Sequence, residues 1–271
     1  MTGRPPLSVV VPTRDGDLAQ VIDALSSEVD AVGGELVVVD GRDEGDMRMP
    51  SLRTIGVRRA RGDVIAIGED HAVPAPGWAK AVLDAHDRHA SADAVVGCLV
   101  NATDHTVSGR ANFLAFAAAW APPMPVLPSL RPPPASTLSI KRRAVAELGD
   151  GPGDFDAVLL PRLFTEGRMV ADDTVSVLHH QDHGLRWSVA NAYASARSGY
   201  GYGMHPTATS DALRAGWSVA RQLSSEVWRA RRGLGASVVD FAATHLVVAG
   251  ATVGAALGAR FGPGRAPEWV A

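Results

Sequence analysis

Four short runs of aliphatic and β-branched residues, the first three each followed by a segment of helical spacing, set the limits on what this chain can fold into. The runs are LSVVVPT (7–13), ELVVVD (35–40), DVIAI (63–67) and ADAVVGCLV (92–100). Between the first two, Leu18, Val21, Ile22 and Leu25 recur at helical intervals; residues 51–61 and GWAKAVLDAHDRHA (77–90) follow the second and third runs. Strands that are apolar throughout need cover on both faces. Strand–helix alternation at this spacing provides it through parallel pairing with helices above and below. The expectation is an α/β fold, Rossmann-like, with a mostly parallel sheet sandwiched by helices.

Open sheets of this kind bind ligands outside the carboxyl ends of their strands. The residues that fall there are polar. Thr13 and Asp15 follow the first run, Asp40 ends the second, and Glu69, Asp70 and His71 stand side by side after the third. Two carboxylates and an imidazole can hold a divalent cation, or they can cap a turn ahead of Pro74 and Pro76. Asp40, just before Gly41, can contact a ligand or cap a turn. The first strand is followed by PTRDGD and not by G-x-G-x-x-G, which argues against a dinucleotide-dependent oxidoreductase.

The chain has 271 residues, enough for one large domain or a domain with an appendage, and its net charge of −3 argues against bulk nucleic-acid binding. The charge is unevenly placed. From Gly184 onward there are nine Arg and no Lys against four carboxylates, so a basic tail follows an acidic front. Cys98 is the single cysteine, which excludes a disulfide framework and a cysteine zinc site. The first residues do not read as a signal peptide, because the apolar run from Leu7 stops at Pro12. A cytoplasmic protein is expected, either free or at the cytoplasmic face of a membrane.

Residues 119–136 are too rich in proline for a regular element and read as a long loop or lid. STLSIKRRAVAELG then resumes with a strand and a helix. A Gly/Asp loop containing Asp154 and Asp156 precedes the helix AVLLPRLFTEG, and a strand ends at His179 and His180. The tail reads as three helices, 186–198, 210–232 and 238–258. In the last, Gly250, Gly254, Gly258 and Gly262 recur every four residues and form a ridge open to close backbone approach. That helix is long enough to span a membrane, but Asp240 and His245 would be costly inside one. Arg221, Arg229, Arg231 and Arg232 with Trp217 and Trp228 suit an anionic lipid interface. Peripheral membrane contact, packing on the rest of the chain, and a homo-oligomer all stay open.

In order and spacing these motifs resemble the family 2 glycosyltransferases, nucleotide-sugar-dependent enzymes of the GT-A fold. LSVVVPTRD is similar to that family's opening strand, which usually ends Pro-Thr-Tyr-Asn. ELVVVDG resembles its second strand. RTIGVRRARGDVIAIGEDH resembles the segment that runs from Arg-Asn-x-Gly to Asp-x-Asp. FDAVLLPRLFTEG and VSVLHHQDH resemble its Glu-Asp segment and a later strand whose His often completes the site. The likeness covers residues 7–203 and leaves 204–271 as a helical C-terminal extension. This sequence departs from the pattern at Arg14-Asp15, Thr54, Phe155 and the Glu-Asp-His cluster. Gln181 lies five residues before Arg186–Trp187, a spacing unlike that of processive members.

The resemblance implies a UDP- or GDP-sugar donor, an acceptor of unknown identity, and Mn²⁺ or Mg²⁺. It places Asp156 as catalytic base, with Asp154 as rival. It places Thr13, Asp15, Asp40, Arg53, Glu69 and Asp70 against the donor, with His71, Glu69 and one of His179 and His180 at the metal. Strand alternation sends His179 and His180 to opposite faces, so at most one of them belongs there. The altered metal motif and Phe155 motivate the alternative of a catalytically degenerate nucleotide-sugar-binding partner subunit.

Overall fold

A computed structural model of the chain describes residues 3–14, 18–124, 133–180, 183–201, 211–230 and 236–265. In order the elements are β1 (Leu7–Thr13), α1 (Ala19–Ala31), β2 (Glu35–Asp40), α2 (Gly41–Glu44), α3 (Met49–Arg59), β3 (Val64–Ile67) and β4 (Ala72–Pro74). Then follow α4 (Trp78–Arg88), β5 (Ala94–Asn101), α5 (Val107–Phe116), β6 (Leu138–Lys141), α6 (Arg142–Val145), α7 (Leu160–Thr165) and β7 (Met169–His179). Helices α8 (Leu185–Gly201), α9 (Ala212–Ala230) and α10 (Val238–Phe261) complete the chain. The fold is mixed α/β, a seven-stranded sheet flanked by helices, with the expected helical C-terminal part. The chain packs as two units: Met1–Val100 with Pro122–His180, and Asn101–Ala121 with Gln181–Ala271.

The first unit holds the sheet, in the order β2-β1-β3-β6-β5-β7-β4. Strands β2, β1 and β3 are parallel, while β6 runs antiparallel to both β3 and β5, and β4 antiparallel to β7. The sheet is therefore mixed, with parallel pairing kept to the half built from the first three runs. Right-handed crossovers explain the cover on that half. Strands β2 and β3 flank β1 on opposite sides, so α1 and α3 must lie on opposite faces. A side chain added at Gly56 of α3 would meet Val10, and one at Gly68 would meet Val11 and Leu25 of α1. Successive residues of β1 thus point to different helix layers. Leu7, Val9, Val10, Val11, Ile65 and Ile67 are fully buried, each contributing about 1.5–3 kcal/mol.

Two further details near the strand ends differ from the sequence expectation. The stretch after His71 reads as a proline turn but forms β4. It lies at the sheet's edge, where Pro74 breaks no interior ladder. The polar loop after Asp40 contains the short helix α2, capped by the Asp40 carboxylate.

The second unit is helical. Gly250, Gly254 and Gly258 of α10 lie against the backbone carbonyls of Val189, Tyr193 and Arg197 of α8, where a Cβ would collide with main chain. Both sets recur every four residues, so the ridge read from the sequence is met by a matching row on α8 within the same chain. Gly262 ends α10 with a positive φ. At the other end Ser237 and Asp240 form a capping box, and buried Asp240 also accepts from Arg110 of α5 at 2.9 Å.

Candidate active site

The carboxyl ends of β1, β2 and β3 lie together. Thr13 is paired in register with Asp40, and the Gly68 N–H donates to the Val10 carbonyl at 2.7 Å. Residues Glu69 to Ala72 then make a tight turn, closed by the Ala72 N–H to the Glu69 carbonyl at 3.3 Å. The turn feeds β4, whose Ala72 pairs with His179 at the end of β7. A local turn and one long-range pairing thus bring Glu69, His71 and His179 together.

Each of the three offers a donor atom within 4.8 Å of the other two, a set able to hold a metal ion. The His71 Nε2 stands 3.5 Å from a Glu69 oxygen, and the His179 Nε2 stands 4.0 Å from the same atom. The two imidazoles meet edge to face, with centroids 4.8 Å apart. Metal–nitrogen and metal–oxygen bonds run about 2.0–2.2 Å, so the set has to close by roughly 1 Å around an ion. His180 is exposed and joins the turn only through its backbone N–H, which donates to the His71 carbonyl at 2.9 Å.

The donor chemistry fits a cation. The His71 Nδ1 lies 2.7 Å from an Asp70 oxygen. A carboxylate only accepts, so Nδ1 carries the proton, and in the neutral ring the lone pair then lies on Nε2, facing Glu69. A carboxylate behind a metal-binding imidazole orients it in this way. Burial pulls the His71 pKa down, but the Asp70 hydrogen bond and the charges of Glu69 and Asp70 outweigh it, and the net shift is upward. Asp70 is lowered in turn, first by the His71 hydrogen bond. His179 is buried, and burial together with the charges of His71 and His180 pushes its pKa down to about 3. Its ring is neutral at ordinary pH, and its Nδ1 is buried with no hydrogen-bond partner.

Arg53 of α3 ties this cluster to the Gly/Asp loop. Its guanidinium lies 3.3 Å from Glu69 and 3.0 Å from Asp156, and only 18% of the side chain is exposed. Burial opposes its charge, but Asp156 and then Glu69 more than compensate, and its pKa is raised. Asp156 sits in a π-helical turn, Phe155–Leu159, that leads into α7. Such turns occur often at functional sites. Phe155 is fully buried, and its N–H donates to the Thr54 hydroxyl at 3.2 Å. Two of the positions that depart from the family pattern, Thr54 and Phe155, are therefore joined by a hydrogen bond.

The other candidates are arranged differently. Asp154 accepts from the Gly151 N–H at 2.8 Å and holds its own loop. Asp40 caps α2 through the Arg42 N–H at 2.9 Å and forms an ion pair with the Arg42 side chain at 2.5 Å. That hydrogen bonding lowers its pKa. Thr13 is buried at the end of β1. Asp15 lies outside the described residues. Arg14 is a site residue that the sequence reading passed over. Its charge acts on Asp70, and its Nε is buried without a partner. Its place where the family pattern has Tyr was the available signal.

No protein-family model matches the chain, and no curated protein matches it. Solved structures do resemble it. A mannosyltransferase, PcManGT from Pyrobaculum calidifontis in complex with GDP-Man and Mn²⁺, is 18% identical over 92% of this chain and 74% of its own, with a TM-score of 0.48. TarS residues 1–349 of S. aureus, in complex with UDP-GlcNAc, is 12% identical over 83% of this chain and 67% of its own, at 0.46. A197 from STIV is 13% identical over 65% and 86%, at 0.40.

Proposed function

We propose that the chain is a nucleotide-sugar-dependent glycosyltransferase of the GT-A type, similar to family 2. It would move a sugar from a UDP- or GDP-sugar to an acceptor hydroxyl with inversion. The observation that carries this reading is the convergence of Glu69, His71 and His179 at one sheet edge, with Arg53 linking Glu69 to Asp156. The ordered sequence motifs support it.

In this reading Glu69, His71 and His179 hold the cation. A carboxylate with two imidazoles favours Mn²⁺ over Mg²⁺. When bound, the ion neutralises charge on the departing diphosphate. Asp70 keeps the His71 lone pair aimed inward. Arg53 and Arg14 place guanidinium charge beside the diphosphate, a group that Arg meets bidentately. Asp156 accepts the acceptor hydroxyl's proton, and Asp154 holds the loop that presents Asp156. Thr13 and Asp40 line the nucleotide side; for Asp40 to accept from a base, Arg42 has to release it.

One observation favours the second reading, a degenerate partner subunit: Arg53 engages both Glu69 and Asp156. Donor hydrolysis separates the two. Slow Mn²⁺-dependent release of UDP or GDP from the matching nucleotide sugar, lost in His71→Ala, is the expected result. Tight donor binding without turnover on any acceptor hydroxyl would make the chain a binding subunit.

A further inference from the structure

Helix α9 divides cleanly into two faces. Ala215, Val219, Leu223 and Val227 are buried in the second unit's core, and Gln222 and Glu226 bond to each other on that side at 3.1 Å. The outward face carries Leu213, 86% exposed, Trp217, 70% exposed, and Trp228, 55% exposed. Arg214, Arg221 and Arg229 are exposed on the same helix. Helix α10 adds exposed Leu246, Val253 and Phe261 and an exposed Arg260. The carboxylates within these two helices are Glu226 and Asp240, and both are buried.

We propose that this face docks on an anionic lipid surface, with α9 lying in the interface plane. The charge pattern selects the occupant. In an isologous dimer a patch meets itself, so Arg would face Arg, and Asp211, exposed just before α9, is a single carboxylate against four exposed arginines. An anionic bilayer supplies the missing charge, and Trp and Leu enter the headgroup boundary beside it. A span by α10 does not fit as well. It is the described helix long and apolar enough to cross, but its glycine row is seated on the α8 backbone and its Asp240 is paired with Arg110. The inference stands independently of the transferase reading.

Flotation of the full chain with vesicles of phosphatidylcholine alone, or mixed with phosphatidylglycerol, tests it at low and high salt. The protein should float with the anionic vesicles only, and less so at high salt. Paired variants Leu213→Ser/Trp217→Ser and Arg214→Glu/Arg221→Glu should each lower the bound fraction about tenfold or more. Circular dichroism and thermal midpoint should stay as in the parent, because all four side chains are exposed. Donor hydrolysis without vesicles should also be unchanged, which separates failure here from failure of the catalytic reading. Equal binding to neutral vesicles, no binding at all, or binding insensitive to both pairs would overturn the proposal. A dimer seen by light scattering that both pairs dissociate, with no flotation, would assign the face to a second copy.

Discussion

Two clusters of charge lie at the two strand-end edges of the same sheet, one before β5 begins and one after β3 ends, and they are built differently. At one edge Asp93, just before β5, accepts from Arg143 and from Arg168 at 2.6 Å, and Arg168 also reaches Glu147 at 2.5 Å and Glu166 at 2.8 Å. Both arginines are satisfied there. At the other edge Glu69, His71, His179, Arg53 and Asp156 crowd together. Yet Arg53 Nε, His179 Nδ1 and the neighbouring Arg14 Nε are buried without partners. A cluster that serves only the fold satisfies its polar atoms, since an orphaned buried group costs about 1–3 kcal/mol. Three such atoms side by side fit the proposed ligand site, while others, such as His86 Nδ1 and Trp78 Nε1, lie elsewhere in the fold.

Substitutions at the two edges should therefore fail in different currencies. Asp156→Asn should lower sugar transfer about 10²–10⁴-fold with the thermal midpoint nearly unchanged, because Arg53 keeps Glu69. A matching loss of stability would make Asp156 a structural residue. Asp93→Asn should do the reverse. It leaves Arg168 and the half-exposed Arg143 without their shared carboxylate and should cost about 2–3 kcal/mol in urea unfolding, with donor binding intact.

Acid should act through buried imidazoles. The pKa of His179 is depressed to about 3 and that of His86 to about 4, in each case first by burial. A depressed pKa contributes stability that is present above the unfolded value near 6.5 and lost as pH falls toward the folded one. Each ring should cost roughly 1.4 kcal/mol per pH unit in that window. His179→Gln should flatten the acid limb by one ring's share; an unchanged slope would mean that the ring is protonated in the fold. Smallest of all, Glu69→Gln should change stability by less than about 1 kcal/mol, since Arg53 retains Asp156. A larger loss would remove the distinction between the two edges.

Much of the fold is legible in the sequence because apolar runs and helical spacing are local signals. Strands β1 to β3 and helices α1, α3 and α4 follow from them. Strand β4 does not, since Ala72-Val73-Pro74 becomes a strand only by pairing with β7 about a hundred residues later. Helix α5 is likewise hidden, being short, without a distinct apolar stripe, and packed with helices from the far end of the chain. In the site, Glu69, Asp70 and His71 announce themselves at a strand end. The choice between His179 and His180 needs the register that sets Ala72 opposite His179. The Arg53–Asp156 contact joins residues 103 positions apart, and no local pattern encodes it.

The proposed reaction requires Glu69, His71 and His179 to form a metal site whose ligand His71 is aimed by Asp70. Titration of Mn²⁺ into the full chain, with free ion read by electron paramagnetic resonance, tests it without reference to catalysis. One saturable site is expected, lost in His71→Ala and weakened about 10–100-fold in Asp70→Asn, with Asp93→Asn binding like the parent. Absence of a saturable site, or binding that survives His71→Ala unchanged, would contradict it.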